Sequence, residues 1–311
     1  MTVKNEKGLH HITVLGGDAQ RTTDFYTKTL GLRLMMKTVN QDDPSTYHLF
    51  FTNGTSQAGS SLTFFPWPMT VQGKPGSGEA VTVSFLVPPD SIGYWAERFG
   101  KNGIDFNGPF ERFGRQVVSF RDPDRLRLEL VFDEEAGNIS AWTQGTVPKE
   151  HGIRGFWSTT LMLEEIASTG ELLTDILGFE KAAEQDGQVL YSASSTPGGH
   201  IILETAAPKQ GKTGRGTVHH IAFRAKDRRE LEEMRQQVDQ RGLDPTEVID
   251  RHFFRSVYFK SPGGVLFEIA TDGPGYSAVQ NEKELGKKLW LPQHLEGRRD
   301  MIEKRLPDIH A

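Results

Sequence analysis

Two stretches decide the reading of this chain: GLHHITVLGG at residues 8–17 and TVHHIAFRAK at residues 217–226. Each places a histidine doublet inside a short apolar run that reads as a strand, and each run leads into a segment with helical spacing. Side chains alternate across a strand, so His10 and His11 are expected on opposite faces, as are His219 and His220. One histidine of each pair can then face inward, and a doublet is not a chelating pair in itself.

Outward from these stretches, one plan recurs four times: a strand, a helix, then further strands. In the first unit, LHHITVL is followed by Asp18, placed to cap a helix over AQRTTDFYTKTL, with Gly31 placed to end it. STYHLFF and SLTFF close that unit. The second runs from VTVSFLV through SIGYWAERFGKNG, where Asp90 is the expected cap, to RQVVSF and LRLELV. The third runs from GFWSTTLML to HIILET, and the fourth from VHHIAFRA to VLFEIA. Local details repeat as well: YTKTLGL matches LTDILGF, and FRDPDRLRLEL matches FKSPGGVLFEI. The expected fold is α+β, four βαβββ units forming two half-barrel bowls.

Glu268 lies among apolar residues in VLFEIA. A carboxylate in a buried strand is costly unless it is paired or bound to a metal. Glu129 and Glu204 are read at the same repeat position, which keeps a structural pairing with arginine open. His11, His220 and Glu268 together make two imidazoles and one carboxylate, a facial set that leaves positions open on an octahedral Fe(II). Spacing alone does not separate iron from manganese, zinc or nickel.

The bulk properties narrow the classes. The chain has 311 residues, a formal net charge of -5 and no cysteine. Disulfides, thiolate metal sites and cysteine nucleophiles are excluded. Interspersed charges argue against a nucleic-acid partner, and no apolar run reaches membrane-spanning length. MTVKNEKG has no apolar signal segment, so a cytoplasmic location is expected. GRGTVHH lacks the order of a phosphate-binding loop.

With LHHIT, VHHIAF and VLFEIATD in hand, the chain resembles the vicinal-oxygen-chelate superfamily of glyoxalases, bleomycin-resistance proteins and extradiol dioxygenases. RSVYFKSPGGVLFEIATDGPG and the tail LWLPQHLEGRRDMIEKRLP bring it nearer the bacterial ring-cleaving hydroquinone dioxygenases. The resemblance implies Fe(2+) held by His11, His220 and Glu268, and a tyrosine ten residues before the carboxylate, here Tyr258. No residue matches the acid–base histidine cleanly; His252 is the nearby candidate. It also implies two domains, at 1–145 and 150–276, and a C-terminal arm at 277–311. The third unit carries Gly155 where its first-strand histidine is expected. A bowl that pairs units one and four would unite the three ligands, whereas sequential pairing would leave two broken sites.

The expected function is an iron-dependent dioxygenase acting on a small aromatic diol with dioxygen; a homodimer is a possible assembly, and the sequence does not fix the oligomeric state. A glyoxalase-like isomerase is the enzymatic alternative, but unit one supplies no fourth carboxylate ligand. A non-catalytic small-molecule binding protein is the other. Which diphenol is cleaved, and where, is not written in the sequence.

Overall fold

The computed structural model describes residues 6–55, 57–281 and 283–311. Among them, unit one forms β1 (Leu9–Gly16), α1 (Ala19–Asp24), β2 (Arg33–Val39), β3 (Tyr47–Thr52) and β4 (Ser61–Pro66). Unit two forms β5 (Glu79–Val87), α2 (Ile92–Lys101), β6 (Phe106–Arg112), β7 (Arg115–Arg121) and β8 (Arg127–Phe132). Unit three forms β9 (Phe156–Leu163), α3 (Ala167–Asp175), β10 (Glu180–Gln185), β11 (Gln188–Ser192) and β12 (His200–Thr205). Unit four forms β13 (Thr217–Ala225), α4 (Arg228–Gln240), β14 (Ile249–Asp250), β15 (Arg255–Lys260) and β16 (Leu266–Thr271). Asp18 caps α1 by accepting from the Arg21 N–H at 2.7 Å, and Gly31 follows the helix with φ of 72°. Asp90 does not cap α2: it lies within a 3₁₀ turn at Pro89–Ser91, and the helix begins at Ile92 with no side-chain cap.

The strands form two curled sheets of eight. Their orders are β14-β15-β16-β13-β1-β4-β3-β2 and β10-β11-β12-β9-β5-β8-β7-β6. The units are therefore crossed: one and four share the first bowl, two and three the second. At each seam two first strands run antiparallel, β1 with β13 and β5 with β9. The convex faces and the helices bury one core, in which Ile12, Val14, Ile221 and Phe223 of the first sheet join Val83, Phe85, Leu161 and Leu163 of the second. Trp95, Phe99, Leu172 and Leu231 pack onto it from the helices. Burying each such side chain contributes about 1.5–3 kcal/mol. Smaller apolar clusters fill part of each concave face: Met36, Phe50, Phe254 and Tyr276 in the first bowl, and Leu86, Val131, Trp157 and Ile202 in the second.

Register fixes which residues are equivalent, and it moves two assignments. Leu9, His10 and His11 enter the β1–β13 seam through a bulge, and Phe156, Trp157 and Ser158 enter the β5–β9 seam in the same way. Gly155 is thus the counterpart of Gly8, and Ser158 stands where His11 does. Both glycines have a positive φ, 153° and 124°, and both abut the 195–198 turn. Glu268 pairs with Ala222, Thr63 with Thr13, Glu129 with Ser84, and Ile202 with Thr160. Glu129 therefore holds the Glu268 position in unit two, but in unit three that position is Ile202. Glu204 lies two residues further along β12.

Candidate metal centre

His11 on β1, His220 on β13 and Glu268 on β16 meet on the concave face of the first bowl. Three adjacent strands supply them, and the bulges set both imidazoles toward the carboxylate. His11 Nε2 lies 3.3 Å from His220 Nε2. Glu268 Oε2 lies 3.2 Å from the first nitrogen and 3.0 Å from the second. All three residues are buried, with exposures of 1%, 4% and 0%. Among the described residues they form the one group of three or more His, Cys, Asp or Glu side chains able to hold a metal ion.

Two observations test whether a cation fits. Ligands about 2.1 Å from a cation and at right angles to each other lie about 3 Å apart, which is the size of the observed triangle. The second observation is Glu268 itself. Its Oε2 is within contact of both imidazoles, yet neither of its oxygens makes a hydrogen bond of acceptable direction among the described residues. A fully buried carboxylate without such bonds is an orphan that a cation would satisfy. Burial works against its charged form, but His11 and His220 hold the carboxyl well below its ordinary range.

The structure also gives the doublets a purpose. His10 and His219 do not face away from their neighbours: the bulges place His10 Nδ1 2.9 Å from His11 Nδ1, and His219 Nδ1 2.8 Å from His220 Nδ1. Burial lowers the His10 pKa to about 3, with a further push from His11, and lowers His219 to about 4, with a push from His220. Both outer histidines are therefore neutral near pH 7. A neutral ring can accept the Nδ1 proton of its neighbour, which fixes the tautomer that leaves Nε2 free to ligate.

Against His11 and His220 lies a cavity of about 380 Å³. Phe65, Phe253 and Phe254 give it aromatic walls, and His48, His219, Arg251 and Tyr258 add polar groups. Tyr258 stands directly opposite Glu268 across the β15–β16 pair, so the neighbouring strand brings it to the site despite the intervening turn. Its ring meets the His220 ring edge-on at 5.6 Å, and the Arg251 guanidinium lies over it at 5.5 Å. Burial pushes its hydroxyl pKa up, and the Glu268 charge adds to this. His252 is not among the cavity-lining residues. It sits in a left-handed turn with φ of 72° and rests against Trp290 and His294 of the C-terminal arm.

Sequence reasoning missed His48, Arg251 and Thr13. His48 Nε2 lies 2.9 Å from the Thr63 hydroxyl, which lies 2.8 Å from that of Thr13, which in turn lies 2.9 Å from His220 Nε2. The signal was present in STYHLFF, where His48 interrupts an apolar strand. Without the β3–β4–β1 order it had no address.

The family model of the Glyoxalase/Bleomycin resistance protein/Dioxygenase superfamily matches residues 8–130 and 156–269. The "Putative ring-cleaving dioxygenase MhqO" of Bacillus subtilis strain 168 is 40% identical over 306 residues, covering 97% of this chain and 96% of that protein. Chlorohydroquinone/hydroquinone 1,2-dioxygenase of Sphingobium indicum is 32% identical over 313 residues, covering 97% and 96%. A crystal structure described as a "putative dioxygenase" from Bacillus subtilis subsp. subtilis str. 168 superposes with a TM-score of 0.94 at 39% identity, covering 99% of this chain and 98% of that one.

Proposed function

We propose that this chain, which belongs to the Glyoxalase/Bleomycin resistance protein/Dioxygenase superfamily, is an Fe(II)-dependent dioxygenase that opens the ring of a hydroquinone- or catechol-type diol and inserts both atoms of O2. Full-length relatives named as ring-cleaving and hydroquinone dioxygenases support an enzyme of the dioxygenase kind. The observation that carries the reading is the buried His11–His220–Glu268 triangle at the end of an aromatic-walled cavity.

Fe(II) bound there would supply the one-electron chemistry that lets a diol react with triplet dioxygen. The chain's own residues would do the rest. Phe65, Phe253 and Phe254 exclude water and hold the flat ring. The Arg251 guanidinium favours the diol in its deprotonated form. Neutral His219 and His48 offer imidazole nitrogens to a departing hydroxyl proton, and His48 connects to the Thr63 and Thr13 hydroxyls. The Tyr258 hydroxyl is placed to donate to the oxygen on which charge builds during ring opening. His252, between the lining residues Arg251 and Phe253 but with its ring against Trp290 and His294, is not given this role.

Register weighs against the isomerase alternative. Thr63 stands in unit one where Glu268 stands in unit four, so a fourth carboxylate ligand is missing. The test is oxygen uptake by the chain loaded anaerobically with Fe(II), with methylhydroquinone, catechol and a thiol–aldehyde adduct as substrates. Uptake matched by ring-opened product from a diol is expected. Conversion of the adduct without oxygen uptake would select the isomerase.

A further inference from the structure

The second bowl repeats the first with its chemistry exchanged. Thr82, Ser158 and Glu129 occupy the positions of His220, His11 and Glu268. Glu129 is not an orphan: both Arg112 Nη atoms donate to it, at 3.1 and 2.5 Å, and the Ser84 hydroxyl donates at 2.6 Å. The floor is thus a neutralised ion pair flanked by hydroxyls, with no imidazole to complete a metal set. One half of this concave face is closed by the cluster around Trp157. The other half opens into a cavity of about 850 Å³, larger than the one at the candidate metal centre.

Two features of this cavity bear on what it could hold. In its depth, Thr160 is 2% exposed and its hydroxyl makes no hydrogen bond among the described residues. Arg112 Nε, on the same cavity lining, is also unpartnered. Buried polar atoms are nearly always satisfied, so these two groups point to a hydrogen-bonding ligand. Toward the mouth, Arg121 and Arg127 stand opposite each other across β7 and β8. Neither makes an ion pair among the described residues. Burial lowers the Arg121 pKa, and repulsion from Arg127 and Arg125 lowers it further. Phe106, 37% exposed, and Phe110 supply flat apolar surface from β6, the strand next to β7. Arg127 and Glu129 are two positions apart on one strand, about 7 Å, roughly the span of an aromatic ring substituted at opposite ends.

We propose that the second bowl is a metal-free binding site for a small hydroxylated carboxylate. The carboxylate is held by Arg121 and Arg127 at the mouth, and the hydroxyl by Thr160 and the Arg112–Glu129 pair within. The site is separate from the candidate metal centre and stands whether or not that centre is a dioxygenase.

Isothermal titration of the full chain with 4-hydroxybenzoate, benzoate and phenol tests it. One 4-hydroxybenzoate per chain is expected, with benzoate weaker and phenol not bound. The Arg121→Gln/Arg127→Gln double variant should lose about a hundredfold in affinity, since two charge-assisted bonds, each worth about a factor of ten, are removed, while diol turnover is unchanged. Thr160→Val should weaken 4-hydroxybenzoate but leave benzoate unaffected. Absence of binding at millimolar ligand would overturn the proposal. So would binding that Arg251→Gln weakens and the double variant does not, because the ligand would then sit in the first bowl.

Discussion

Replacing His10 with phenylalanine isolates the purpose of the doublet. The ring is 7% exposed and packs edge-on against His11 and Phe254, with centroids 5.1 and 5.2 Å away. Phenylalanine keeps a flat ring, adds roughly one methylene of volume and removes both ring nitrogens, so the main change is chemical. His10 Nδ1 lies 2.9 Å from His11 Nδ1 and, in the neutral ring, is placed to accept its proton. In His10→Phe the buried His11 Nδ1–H has no acceptor, at a cost of about 1–3 kcal/mol. That cost falls on the tautomer that ligates through Nε2, so metal affinity should drop about 10–100-fold. Competition with a calibrated chelator under anaerobic conditions measures it, and circular dichroism checks that the fold is kept. His10→Asn, whose side-chain carbonyl can accept, should recover part of the loss. Unchanged affinity in His10→Phe would refute the reasoning and return His10 to packing.

Four further outcomes are expected. His11→Ala, His220→Ala and Glu268→Gln should each abolish stoichiometric iron and oxygen uptake while the far-ultraviolet spectrum is retained; full iron occupancy in any of them removes that residue from the set. Tyr258→Phe should keep iron and diol affinity but slow ring opening by the equivalent of about 2–4 kcal/mol, as read by single-turnover kinetics; a parent rate across the pH range would mean that the tyrosine only packs. In metal-free protein, His10 and His219 have folded pKa values of about 3 and about 4, below the unfolded value near 6.5, so the unfolded chain binds more protons between these limits. Their stability contribution is complete above pH 6.5 and is lost as pH falls toward 3, at about 1.4 kcal/mol per pKa unit, and Tm measured from pH 7 to pH 4 should fall faster for the parent than for His10→Phe. Finally, Gly8→Ala should destabilise the chain by more than about 2 kcal/mol in urea, because φ is 153° and the new Cβ would lie 2.1 Å from Ser195 Oγ; an unchanged midpoint would show that the 195–198 turn yields.

Much of this arrangement was legible because the repeat is written in strand period and in turns. The doublets and the isolated Glu268 named the three residues that meet, and the uneven distribution of histidines between units one and three pointed to the crossed pairing. What failed was register. A bulge inserts one residue without changing composition, so His10 and His219 were expected on the far face, and Gly155 was aligned three residues from the true counterpart, Ser158. Glu204 was matched to Glu268 by similar spacing, although Ile202 holds that position. His252 was favoured for its nearness in sequence, whereas the chain turns it toward Trp290. His48 and Arg251 reach the cavity through sheet order and loop path, which no local pattern encodes.

The central claim is that iron at His11, His220 and Glu268 directs both atoms of dioxygen into an opened diol. Mass spectrometry of the product formed by the Fe(II)-loaded chain from a hydroquinone under ¹⁸O2 tests it most directly. The account predicts a ring-opened acid carrying both labelled atoms, and none from Glu268→Gln treated in the same way. A product with one labelled atom or none, or equal product from Glu268→Gln, would contradict it.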